Sequence, residues 1–289
     1  MRSSRHREWV FLRIASDPRF EVQAANGDRD KMVKSLLTLC IGALWLSGIQ
    51  AFADPRLDEL LERTGRLVER FWQQVPSFTC MELVTQQKMN KRGKIEYKAD
   101  SIFDYLALTS KQGDAITIEE LRLPQKKTRD KANKPSLLKT NGFPSLLLIF
   151  HPQYQANYRY QLVPESAEDG KLLPVKFEHI EGMRSTCALV LQERIYPLDL
   201  QGTAWIDRET GIIQKMTANL IAPLKDINIK AFSVAVEYKP QIFPPEPEVR
   251  WLPSTTVINA QTALQQWRNI HLFSQYKRFT VQSSEAISK

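Results

Sequence analysis

Few residues in this 289-residue chain have the type and spacing to do chemistry. Past residue 53 the histidines are His151, His179 and His271. None stands in an HExxH, HxH or His–Cys spacing, so a metal centre has no local support. His151 precedes Pro152 and His271 lies in a strand-like run, settings that suit structural or exposed rings. His179, between Glu178 and Ile180, has the setting of a half-exposed strand residue. There is no GxSxG elbow, SxxK, P-loop or Gly-rich dinucleotide turn. A triad assembled from distant residues stays open, because triads are defined by geometry. Asp207 in WIDRETG could be an acid at a strand end. Asp, Thr and Gly are equally what a turn uses to bond its own backbone, and that reading is preferred. The expectation is a protein that is not an enzyme and carries no metal or cofactor.

Cys80 and Cys187 are the cysteines beyond residue 53. In an oxidising compartment such a pair is expected to form a disulfide, which would contribute on the order of 4 kcal/mol by closing a loop of about 100 residues. Two buried free thiols are the alternative. No CxxC occurs, which argues against a redox role.

The compartment is legible upstream. Met32 to Ala53 reads MVKSLLTLCIGALWLSGIQAFA, with Lys34, an apolar run from Leu36 to Ile49, and Ala51-Phe52-Ala53 before Asp54. A basic start, a short apolar centre and an A-x-A exit describe a cleavable secretory signal peptide, here over 32–53. The run is short for a membrane span of about 20 apolar residues, and an uncleaved anchor is the alternative. Cys40 lies mid-run after Leu39, not at a lipobox cleavage point. Residues 1–31 fit no export logic; they read as an upstream over-translation or as an extension ahead of the signal. The remaining 236 residues, 54–289, are expected to be one periplasmic domain. Setting aside eight Lys/Arg and five Asp/Glu before residue 54 leaves 32 basic and 27 acidic residues, net +5. That excess is too mild for a nucleic-acid footprint.

The elements follow from periodicity. Residues 54–75 carry Leu57, Leu60, Leu61, Leu67, Val68, Phe71, Trp72 and Val75 at three- and four-residue spacing, an amphipathic helix with Pro55 at its start and Pro76 at its end. From Phe78 the period becomes two, through FTCMELVTQQKM, KIEYKADSIFDYLALTS, AITIEELRL (115–123), YRYQLV (158–163), PVKFEHIE (174–181) and TCALVLQE (186–193). GTAWIDRETGIIQKMTANL is the clearest hairpin, and three further strands lie within 231–243, 249–263 and 270–285. Residues 124–142 form a loop with Lys126, Lys127, Arg129, Lys131, Lys134 and Lys139. It is either a solvated connection or a contact for an anionic membrane surface or acidic partner. In FPSLLLIFHPQYQANY (143–158) a short helix is apolar all round and must be buried or cover something apolar. The fold class is α+β with β dominant.

The opening LDELLERTGRLVERFWQQVPSFTC, the hairpin GTAWIDRETGIIQKMTANL, the strand VRWLPSTTVI and the closing FSQYKRFTV resemble, in order of elements, the LolA/LolB-like group. That group includes periplasmic lipoprotein carriers and the LppX and RseB types. The resemblance implies an unclosed antiparallel β-barrel around helices, with an apolar hollow for acyl chains. On that model Leu146, Leu147, Ile149, Phe150 and Trp205 are the candidate lipid-binding residues. The implied partner is a lipid or acylated protein. The alternatives are an envelope protein-interaction or regulatory domain of the same fold, and a hydrolase with a dispersed site.

Overall fold

The computed structural model describes residues 9–11, 55–112, 115–125, 138–140, 142–163, 170–191, 194–245 and 247–279. The expected signal peptide, residues 32–53, and the lysine-rich stretch 126–137 lie outside them. In the 1–31 segment, β1 (Trp9–Phe11) pairs in parallel with β5 (Leu138–Thr140) and antiparallel with β8 (Ala188–Leu191). With β9 (Arg194–Pro197) these make a small four-stranded sheet.

The main sheet is a meander. Its strands are β2 (Phe78–Asn90), β3 (Ile95–Gln112), β4 (Ala115–Pro124), β6 (Tyr158–Leu162), β7 (Leu172–His179), β10 (Leu200–Asp207), β11 (Ile213–Leu220), β12 (Ala231–Ile242), β13 (Val249–Gln261) and β14 (Gln265–Arg278). They lie in the order β4-β3-β2-β14-β13-β12-β11-β10-β7-β6. Every pairing is antiparallel, and β4 and β6 end the sheet without meeting, so the barrel stays unclosed. Alternation decides the faces. On β2, Phe78, Cys80, Glu82 and Val84 are buried while Met81, Leu83 and Thr85 point outward.

Helix α1 (Pro55–Gln74) lies on the concave face because its stripe of Leu57, Leu60, Val68 and Trp72 is buried there. Each such side chain contributes about 1.5–3 kcal/mol. Beside it, the 3₁₀ helix Phe143–Phe150 buries Leu146 to Phe150 in the middle of the half-barrel. Gln155 Nε2 ties the two together, donating to Leu61 O and Phe150 O, both at 2.9 Å. Gly65 allows this approach, since a Cβ there would meet Gln155 Nε2 at 2.8 Å.

The expected Cys80–Cys187 disulfide is corrected: both are free, buried thiols. Cys80 is on β2 and its thiol meets the Tyr276 hydroxyl; Cys187 precedes β8 with Thr186 Oγ1 at 3.7 Å from its sulfur. Each sits in a different part of the core, and burial pushes both thiols up to about 12. Buried, protonated thiols of this kind are inert.

Candidate functional site

The Asp207 turn places one wall of the site. Asp207 Oδ1 accepts from Glu209 N at 3.2 Å, Thr210 N at 2.9 Å and Thr210 Oγ1 at 2.8 Å, the self-bonding of a turn aspartate. Burial raises its carboxyl, but the Thr210 donors and nearby Lys171 outweigh burial and hold it low. Gly211 follows at φ 78°, a left-handed conformation that suits glycine. On this turn α1 is fastened: Arg63 Nη1 donates to Arg208 O (2.8 Å) and Glu209 O (2.9 Å), and Thr64 Oγ1 donates to Gly211 O (3.0 Å).

C-terminal to these clamps, a crevice of about 220 Å³ opens between α1 and the sheet. Leu67, Val68 and Phe71 form its helix wall and Leu147 lines it from the 3₁₀ helix. Ile212, Ile213, Tyr238, Val249 and Trp251 form the sheet side. Its polar lining is Arg70, Gln74, Glu248 and Arg250. Arg250 donates from Nη1 to Gln74 O (3.1 Å) and from Nη2 to Glu248 Oε2 (3.0 Å). The first bond satisfies an orphan carbonyl at the C-terminal end of α1, where a cation is favourable. An apolar slot with charges among its lining residues can hold a chain-like apolar group and orient a polar head.

Of the candidate lipid-binding residues, Leu147 lines this crevice. Leu146, Ile149 and Phe150 are sealed behind it at 0% exposure and act as core. Trp205 is elsewhere. Its neighbours Ala204 and Ile206 are buried, so alternation turns it to the convex face, where Lys215 Nζ lies 5.1 Å over its ring. The residues that sequence reasoning did not single out for binding are Leu67, Val68 and Phe71 with the two arginines. The helical stripe marked the first three as apolar but carried no sign of which neighbour they meet.

A second cluster is polar and lies on the concave face beneath β5. Glu82, with 0% exposure, accepts Arg122 Nε at 2.5 Å and Nη2 at 3.0 Å. His271 Nδ1 lies 2.7 Å from Glu82 Oε1, and its Nε2 lies 2.6 Å from Thr140 Oγ1. Asn269 Nδ2 donates to the same hydroxyl at 3.3 Å, so Thr140 gives its proton to Nε2 and His271 gives its Nδ1 proton to Glu82. Burial pushes the Glu82 carboxyl up, but His271 and Arg122 outweigh it and hold it below the usual range. Burial lowers the His271 ring below its ordinary value, opposed by Glu82. Burial raises Glu120, which accepts Gly142 N at 2.7 Å. A hydroxyl–imidazole–carboxylate chain is the arrangement of an activated nucleophile. Thr140, His271 and Glu82 are at most 3% exposed, so no substrate reaches the hydroxyl here, and the chain acts to pin β5 to the sheet. Among the described residues no group of three or more His, Cys, Asp or Glu is placed to hold a metal.

No family model matches the chain, and no curated protein matches it. Solved structures do. A DUF1329 family protein from Desulfovibrio piger is 9% identical with a TM-score of 0.33, covering 79% of this chain and 95% of that one. A putative outer membrane lipoprotein-sorting protein domain from Vibrio parahaemolyticus is 10% identical with a TM-score of 0.30, again covering 79% and 95%. At these values the half-barrel and its site rest on this chain's own strands and contacts.

Proposed function

We propose that this chain is an exported, periplasmic, non-enzymatic protein that holds a lipid or protein-linked acyl group in the α1–sheet crevice, as carrier or sensor. In this reading cleavage after Ala53 removes the 32–53 signal peptide together with the 1–31 extension and its β1 strand, and 54–289 act as one domain. The observation that carries the reading is the crevice itself, an open slot walled by Leu67, Phe71, Leu147, Ile213 and Trp251. Each methylene buried there contributes about 0.8 kcal/mol, so an acyl chain needs no catalytic constellation to be retained. Leu147 is the direct contact, and Leu146, Ile149 and Phe150 support it from behind. The basic 126–139 loop would add contact with an anionic membrane surface.

Native mass spectrometry of the protein released gently from the envelope of its host tests this reading. A mass excess of one or more acyl chains, lost on organic extraction, is the expected result; a bare polypeptide from every preparation contradicts it.

A second reading is favoured by the convex face. Register places Leu272 opposite Leu83 and Leu83 opposite Ile102, beside the exposed Leu121 and Leu123 of edge strand β4. A contiguous exposed apolar face is what a protein-interaction domain would use.

A further inference from the structure

The charges lining the crevice carry an inference about the head of the ligand, one that rests on the acyl-binding reading above. The available space, about 220 Å³, is below the roughly 300–1,000 Å³ of ordinary ligand pockets, and it suits one chain rather than two or three. Two guanidinium groups, Arg70 and Arg250, line it with a single carboxylate, Glu248, among its described residues. Arg250 is 8% exposed and held by Gln74 O, so its fork is fixed in place before any ligand arrives. Glu248 takes one edge of that fork at 3.0 Å, while its own side chain is 48% exposed. It can therefore swing into water at little cost, because an ion pair with one partner half in solvent is weak.

We propose that the crevice binds a single-chain fatty acid, with its tail between Phe71 and Trp251 and its carboxylate replacing Glu248 on Arg250 beside Arg70. Glu248 is then an internal competitor that occupies the carboxylate position until a ligand carboxylate displaces it. The planar guanidinium matches a carboxylate through paired N–H donors, a match that an ester or alcohol head cannot make.

The experiment is displacement of the apolar fluorophore N-phenyl-1-naphthylamine from the purified chain by dodecanoic acid and by methyl dodecanoate, at pH 7.5. The acid is expected to bind about tenfold more tightly than the ester, the ratio that one charge-assisted contact yields. Glu248→Gln should tighten the acid several-fold and leave the ester unchanged, and Arg70→Gln should weaken the acid alone. Neither side chain is buried, so both variants fold. Equal binding of acid and ester, unmoved by either substitution, overturns the head-group inference while the acyl-binding reading stands. If the fluorophore and both ligands fail to bind, the acyl-binding reading falls and takes this inference with it.

Discussion

Buried His271, bonded to the buried Glu82 carboxylate, makes stability depend on pH. Its ring is lowered from an ordinary value of 6.5 by burial, so the native state prefers it neutral. Below that ordinary value the unfolded chain takes up a proton that the folded chain refuses, and stability falls as pH drops from about 6.5. Glu82, lowered from 4.5, adds stability that is present above its unfolded value and is lost as pH falls through its folded one. Glu120, raised from 4.5, acts oppositely: its contribution is present below 4.5 and fades as pH rises through its folded value. Above pH 4.5 Glu120 therefore opposes His271, and the His271 contribution is read as the difference that removing its ring makes to the slope. Thermal melts between about pH 7 and 5 should show a slope of midpoint against pH that is more positive in the native chain than in His271→Gln; identical slopes would contradict the assignment. Part of this cluster was legible beforehand. Glu82 shares the parity of Phe78, Cys80 and Val84, so FTCMELV places a carboxylate on the buried face and demands a partner. The partners were hidden by distance, because Arg122 is 40 residues away and His271 is 189.

At the scale of elements, α1 and the 3₁₀ helix divide the hollow between them. The all-round apolar character of Leu146–Phe150 correctly marks a buried element, and the α1 stripe correctly marks a helix laid on a sheet. Which of these side chains borders open space depends on how tightly two elements approach. That is set by Gly65, Gln155 and the Arg63 clamp on the Asp207 turn, contacts with no local signature. The division separates stability from binding. Phe150→Ala removes a fully buried ring and should cost about 3–5 kcal/mol in denaturant unfolding. Phe71→Ala, at a half-buried position in the crevice wall, should cost clearly less while weakening N-phenyl-1-naphthylamine binding by about tenfold or more. Equal stability losses with unchanged binding would place the acyl site elsewhere.

Over the whole molecule, an unclosed sheet offers two apolar surfaces. Its concave face carries α1 and the 3₁₀ helix, with the crevice between α1 and the sheet, while its convex face bears the exposed Ile102, Leu121, Leu123 and Leu272 around half-buried Leu83. The strand meander was legible as alternating runs, including the 207–211 turn. The polarity of each face was partly hidden by apolar residues on both parities, as on β10, where Ala204 and Ile206 face inward and Trp205 outward, so Trp205 was assigned as a ligand contact by resemblance and not by parity. The central claim is that the acyl chain enters from the α1 side. Photolabelling with a fatty acid bearing a terminal diazirine, followed by peptide mapping, addresses it directly. Adducts on the peptides carrying Leu67–Phe71, Leu147 and Val249–Trp251 are the predicted result. Adducts confined to the β2–β4 and β14 peptides that carry the convex leucines would contradict it.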